Sequence, residues 1–410
     1  MRFPAVLAVL APCFAGISVL ALDWPDFRGP FADGRAQAEG DTNLIGLPVR
    51  WSETENVVWK TAVHDKGWSS PVILGGKIWL TTADAGGHDF FAICVDEATG
   101  KILTDKKIFH CDHPEPLGND LNGYASPSPV IEEGRAYVHF GSYGTACLDT
   151  LDAAVLWKRD DLPCRHYRGP GSSPILWHHL LILSMDGIDV QYLVALDASD
   201  GHTVWKTDRT AAWNDLNADG KPQGGGDLRK AFSTPIIVDN VDGGSLMLDI
   251  GSRAFYGYDP ATGRELWKMA NEGYSPAARP VCEHGIAYMS SGNGQAEMVA
   301  FHIDTPDHAV LWRARRAVPR MPSPVLDHGM LFMVADSGVA ACLDAATGRE
   351  NWRERLGGDY SASVLYGDGH VYFFDRDGKA MVLKSSPAFE PLATNVLANG
   401  FMSSPAVSGK

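Results

Sequence analysis

Beyond its first twenty residues the sequence has no apolar run long enough to cross a bilayer, which excludes a spanning helix from the rest of the chain. Positive charge is in deficit: 35 Lys and Arg stand against 50 Asp and Glu, a formal net charge of −15. Such a surface repels phosphate backbones and anionic lipids, so no nucleic-acid partner is expected. No Gly-x-Ser-x-Gly elbow occurs, and no glycine-rich phosphate loop with its lysine, so the usual signs of acyl and phosphoryl transfer are missing. No two cysteines are adjacent. No stretch is of low complexity, although glycine (43) and proline (25) are abundant. They recur at intervals, as turn punctuation does in all-β proteins.

What is present begins with an export signal. Arg2 precedes an apolar stretch from Phe3 to Leu20, and Val19-Leu20-Ala21 offers small residues for cleavage after Ala21. Residues 1–21 are therefore expected to direct the protein to the periplasm or beyond, where disulfides can form. Three later cysteines, Cys94, Cys147 and Cys342, share one repeat position that elsewhere holds Ala195 and Gly257. That is a small-residue core slot, so packed thiols are expected there. Cys111 and Cys164 lie instead in consecutive inter-blade loops, and a bridge between them is left open by the sequence.

A Ser/Thr-Pro-aliphatic step recurs eight times: at Ser70, Ser128, Ser173, Thr234, Ser323 and Ser404, with degenerate copies at Arg279-Pro280-Val281 and Ala362-Ser363-Val364. The spacing is blade-like, about 40–60 residues. A turn and a second strand follow each step, as in Gly75-Gly76-Lys77 before Ile78-Trp79-Leu80-Thr81. A third strand ends in an acidic turn such as Asp96-Glu97-Ala98-Thr99-Gly100 or Asp344-Ala345-Ala346-Thr347-Gly348, whose Asp and Thr bond the turn's own backbone. A fourth strand then opens with Trp and a cation, as in Trp157-Lys158, Trp205-Lys206 and Trp352-Arg353. Trp59-Lys60 comes before the first step, so it is an outer strand with no inner strands ahead of it. It is expected to complete the last blade, closing the ring and removing its open edge. The fold expected is all-β: an eight-bladed propeller of four-stranded antiparallel blades over residues 56–410, after an extension at 22–55. The chain reaches Lys410 before the middle strands of blade eight, as a fragment would.

The repeat Ala-x-Asp-x-x-Thr-Gly-x-x-x-Trp-[Lys/Arg] resembles the pyrroloquinoline-quinone (PQQ) type of propeller repeat. The N-terminal Trp24-Pro25-Asp26-Phe27-Arg28-Gly29-Pro30 is similar to that of exported bacterial PQQ-like propeller proteins. Blades one, two, five and seven depart from the pattern at Thr104, Leu151-Asp152-Ala153, Asp304-Thr305-Pro306 and Ser385-Ser386-Pro387. The resemblance implies one of two classes. Quinoprotein dehydrogenases hold PQQ over calcium in the central funnel; propellers like the outer-membrane assembly factor BamB bind partner proteins without a cofactor. The missing adjacent Cys pair, the shorter chain and the lack of placeable Glu, Asn and Asp ligands weigh against the first. The expected function is a non-catalytic, monomeric scaffold for protein partners or a small anionic ligand, with no cofactor. The alternative is a PQQ- and calcium-dependent oxidoreductase of alcohols or sugars.

The loops leading into the inner strands share one face and are rich in large polar groups. Asn122, Tyr124, Arg165, His166, Arg168, Arg229, Lys230, Tyr274, Arg320 and Tyr360 are the candidate ligand-binding residues, an anion-binding funnel on an acidic protein. Asp215, Asn217 and Asp219 start like a calcium loop, with Gly220 at the sixth position, but Gly226 stands where a calcium loop needs Glu. His110-Cys111-Asp112-His113 reads as a loop with incidental histidines, there being no second cluster of complementary spacing.

Overall fold

The computed structural model describes residues 23–240 and 243–410. The export signal read over 1–21 lies outside the described residues. Blade one consists of β1 (Val72–Leu74), β2 (Lys77–Ala83), β3 (Asp89–Asp96) and β4 (Ile102–His110), each antiparallel to the one before. The same four-stranded order repeats over 130–159, 175–208, 236–270, 281–314, 325–355 and 365–396. The second strands are mostly buried, Leu180–Asp186 along its whole length, because each sheet packs against a neighbour on both faces. Outer strands alternate instead; in Val155–Arg159 only Trp157 is buried.

The sequence of the repeat follows from how blades dock. The indole Nε1 of Trp157 donates to the carbonyl of Ala198 in the next blade's acidic turn at 2.9 Å, and Trp205 and Trp312 do the same to Pro260 (3.1 Å) and Ala345 (2.8 Å). The turn glycine lies under that indole: at Gly201, with φ +79°, a Cβ would come within 2.6 Å of Trp157. The small slot is the partner of the same tryptophan across the sheet, with Cys147 opposite Trp157, Ala195 opposite Trp205 and Gly257 opposite Trp267. The slot cysteines are therefore buried free thiols, and burial pushes Cys94 up to about 11 and Cys147 up to about 12.

The Ser/Thr-Pro steps form a ring around the axis. Each hydroxyl accepts the backbone N–H of the step before it: Ser70 to Ser128 (2.9 Å), Ser128 to Ser173 (2.9 Å), Ser173 to Thr234 (2.9 Å), Arg279 to Ser323 (2.9 Å), Ser323 to Ser363 (3.0 Å), Ser363 to Ser404 (2.9 Å). The amide of Ser404 then closes the circle on the Ser70 hydroxyl at 3.0 Å. The one interrupted link, Thr234 to Arg279, falls where the step has no hydroxyl. The ring has eight stations, and the described residues form seven complete sheets. At the eighth, 56–61 and 401–407 run without a ladder among the described residues. Trp59 nonetheless takes the outer-strand position, since its Nε1 donates to Glu97 O at 2.8 Å as the other tryptophans do.

The N-terminal extension is part of the ring's interior. Trp24 exchanges two 2.8 Å backbone hydrogen bonds with Ile73, and the Ile131 amide donates to Pro25 O at 2.9 Å. Buried Arg28 crosses to the far side, donating to the carbonyls of Pro324 and Val364. Arg279 reaches in from blade five to the carbonyl of Phe27 and, at 3.1 Å, the carboxylate of Asp26. Residues 24–35 thus plug the bore. Further on, the amides of Ile45, Gly46 and Leu47 bond to Asp368 at 2.7–2.8 Å, and residues 45–51 cover the face of blade seven.

Candidate functional site: a blind funnel on the loop-rich face

Above the plug the bore opens into a funnel of about 400 Å³. Its wall is set by the repeat. The residue two places before each Ser/Thr position lines it, that position in the seventh step being Ser363 and not Ala362: Trp68, Phe232, Met321 and Met402 are large, and Ser126, Gly171, Ala277 and Ser361 are small. Phe27 of the plug also lines the funnel, so a ligand enters and leaves by one mouth. The polar groups lie on the side of blades two to five. Asn122, Arg168, Lys230 and Tyr274, four of the residues expected from sequence, line this cavity with Asp227 and Asn293.

Asp227 organises the cluster. Arg168 clamps it with two hydrogen bonds, Nε to Oδ1 at 3.0 Å and Nη2 to Oδ2 at 2.9 Å. The Lys230 ammonium, 1% exposed, donates to the carboxylate and main-chain carbonyl of the same residue and, at 3.3 Å, to Ser275 Oγ. Burial pulls Lys230 below the ordinary lysine range, with Asp227 partly offsetting it. For Asp227 burial acts upward, but the bonds from Arg168 and Lys230 outweigh it and the carboxyl stays below its usual value. The three groups carry one net positive charge.

The other expected residues serve the loops rather than the funnel. The Tyr124 side chain is buried in a blade interface and its hydroxyl donates to Glu115 O at 2.9 Å. Arg165 pairs with Glu115 at 2.6 Å, and Arg229 with Asp215 at 2.6 Å. Arg320 lies over a neighbouring recess and donates to Asn293 Oδ1 at 3.3 Å. Tyr360 is fully buried. The calcium-loop reading meets a competing use of its ligands: Asp215 is held by Arg229, and Asn217 Oδ1 accepts the amides of Asp219 and Lys221 at 3.0 Å. The bridge between Cys111 and Cys164 is corrected. Both are free thiols, because Cys164 is buried in the core between blades two and three while Cys111 packs against that between blades one and two. His110 is exposed and pairs with Asp89 at 2.6 Å.

His166 is buried beside the funnel loops. Its Nε2 accepts the Ser142 amide at 3.2 Å, and Nδ1 faces Cys164 Sγ at 3.7 Å. Burial holds its pKa down at about 4, and that of neighbouring His139 at about 3. Both folded values lie below the ordinary 6.5, so the unfolded chain binds more protons between them. Their contribution is complete above pH about 6.5 and drains away as pH falls toward 4. Urea unfolding at pH 7 and pH 4.5 should differ by several kcal/mol, and His166→Gln should flatten the slope between them by on the order of 2–3 kcal/mol.

The sequence missed Trp68, Asp227, Asn293 and Phe27. A usable signal existed for the first: Trp68, Phe232, Met321 and Met402 share one register with respect to the Ser/Thr-Pro step. No such signal marks Asp227, whose role depends on two cations brought to it by folding.

The circular repeat, with Trp59, Trp157, Trp205 and Trp312 each set on the next blade's acidic turn, makes this chain a PQQ-like β-propeller protein. The family described as outer membrane protein assembly factor BamB matches residues 189–323 and 302–386. A BamB from Legionella pneumophila is 25% identical over 193 residues, 44% of this chain and 47% of that protein. The chain thus aligns with about half of that relative's length. A tetrathionate hydrolase from Acidithiobacillus ferrooxidans is 22% identical over 369 residues, 83% of this chain and 68% of that one. Among solved structures, BamB from Moraxella catarrhalis superposes with a TM-score of 0.61 at 19% identity, covering 80% of this chain and 88% of its own. Quinohemoprotein alcohol dehydrogenase from Comamonas testosteroni does so with 0.65 at 12% identity, covering 94% and 74%. At those identities the likeness is one of fold. Among the described residues no helix is long and apolar enough to cross a membrane.

Proposed function

We propose that the protein is an exported scaffold that binds a partner at the funnel, without a quinone. The observation that carries this reading is the funnel itself: a blind, partly apolar cavity on the loop-rich face whose polar groups converge on one side. The likeness to the BamB family, described as an assembly factor, supports partner binding.

The alternative is the calcium-dependent quinoprotein. Its metal needs several convergent anionic or carbonyl oxygens. Here Asp227 is the carboxylate lining the funnel among the described residues, and both its oxygens are engaged by Arg168 and Lys230. Asn122 donates its amide to Gly169 O and Pro170 O (3.3 and 3.0 Å), and its oxygen accepts from Ser126. A divalent cation would face two positive groups, so these residues do not fit the group. Calorimetric titration with PQQ, with and without calcium, is expected to give no heat at high micromolar concentration. Tight calcium-dependent binding would replace the scaffold reading with the oxidoreductase.

A further inference from the structure

The funnel divides into two chemistries. Blades six, eight and one contribute Met321, Met402 and Trp68, and the plug adds Phe27. The facing side carries Arg168, Tyr274 and Lys230. Donors there outnumber free acceptors. The two bonds of Arg168 to Asp227 use Nε and Nη2 and leave Nη1 with no acceptor among the described residues, although the side chain is a third exposed. The Tyr274 ring lines the cavity with its hydroxyl unpaired among the described residues; on the opposite side, the buried Trp68 Nε1 also has no partner among them. A wall that offers free donors and no free acceptor is matched to a ligand rich in acceptors. The acceptors of Asp227 are spent, which disfavours an ammonium group.

Size and closure narrow the ligand. The plug stops any chain from threading through, and about 400 Å³ holds a residue or two, not a folded surface. We infer that the funnel captures the free C-terminal carboxylate of a peptide ending in an apolar side chain, with the carboxylate on Arg168 and Tyr274 and the side chain against Trp68, Met402 and Phe27. Guanidinium recognises a carboxylate by charge-assisted, directional hydrogen bonds, and capture of chain ends is an established mode of peptide recognition. This rests on the scaffold reading and gives it a ligand.

The test uses an N-acetylated hexapeptide ending in Phe, as free acid and as C-terminal amide, with binding followed by Trp fluorescence and calorimetry. The acid is expected to bind about tenfold or more tighter than the amide. Arg168→Gln should erase that difference, and Tyr274→Phe, which removes one hydroxyl and leaves the Asp227 cluster intact, should reduce it. Unfolding curves check that both variants are folded. Equal affinity for acid and amide overturns the inference, as does a preference that survives Arg168→Gln. Tighter binding of hexanoate than of the peptide acid overturns the peptide source. Failure of both peptides to bind at millimolar concentration, while a photo-crosslinker in the funnel still captures a protein partner, overturns the carboxylate and leaves the scaffold reading standing.

Discussion

Arg209→Met is expected to lower stability by about 3–5 kcal/mol. The guanidinium is wholly buried, with Nε and Nη2 both 2.6 Å from Asp186 and Nη2 also 2.7 Å from Asp249. It lies 5.0 Å from the Tyr256 ring centroid, with Tyr258 beside it. Asp186 ends a strand of blade three and Asp249 sits in blade four, so the triad ties two blades together. Burial acts to raise Asp186, and Arg209 is what opposes it. Removing the cation leaves two neighbouring carboxylates buried without one. The loss should therefore shrink as pH falls and Asp186, already raised by burial, takes up a proton. Arg209→Met combined with Asp186→Asn and Asp249→Asn should recover most of the stability, because a buried charge network is costly mainly when half of it is removed. Urea midpoints for the wild type, Arg209→Met and the triple variant at pH 7 and pH 5 check this; a loss below about 1 kcal/mol at pH 7 would show the triad to be energetically idle. Arg209 also begins the long loop that delivers Asp227 and Lys230 to the funnel, so the same variant should weaken binding there.

The second large effect belongs to the plug. Arg28 is buried, and its guanidinium donates to three carbonyls, those of Asp33, Pro324 and Val364. Burial lowers its pKa to about 9, with the Asp33 charge partly offsetting it. Arg28→Met removes donors from three carbonyls in the bore, and each orphaned buried group costs about 1–3 kcal/mol before relaxation. A loss of about 3 kcal/mol is expected, with Arg28→Lys intermediate because an ammonium cannot span the same fork. The plug also supplies Phe27 to the funnel, so Arg28→Met should loosen that floor and raise the dissociation constant of any funnel ligand. Hydrogen exchange should locate the change: faster exchange at Ile73 and Ile131, which bond to Trp24 and Pro25, with the outer strands unaffected. Protection unchanged at both amides would detach the plug from the bore's stability.

The parts of this fold that were legible in the sequence are those written once per blade. The Ser/Thr-Pro step is visible because a hydroxyl there accepts an amide from the preceding blade, and the repeat fails at Arg279, where the ring also fails. Even departures from the pattern are coupled. Blade one has Thr104 where most blades have Trp, and blade two, which would receive that indole, has Ala153 at φ +57° where most have the turn glycine. Without the indole there is room for a Cβ. Blade four keeps Trp267, and His308 of blade five meets it at 4.4 Å between ring centroids.

The site was only half legible, for a different reason. Loop cations announce themselves in sequence, but their partners do not. Arg165 and Arg229 are answered by Glu115 and Asp215, 50 and 14 residues away, and so drop out of the funnel. Arg168 is answered by Asp227, 59 residues away, yet keeps one nitrogen free. The WPDFRGP segment reads as a family signature, while its role as a plug depends on carbonyls from the far blades.

Partner binding in the funnel is open to direct test. Site-specific photo-crosslinking tests it most directly, with the crosslinker at Leu121 on the funnel wall, and at exposed Leu266 on the outer rim as control, in cells that make the protein. Adducts from Leu121 that vanish with Arg168→Gln, and none from Leu266, are the predicted result. Adducts from Leu266 alone would place the partner on the rim and contradict the account.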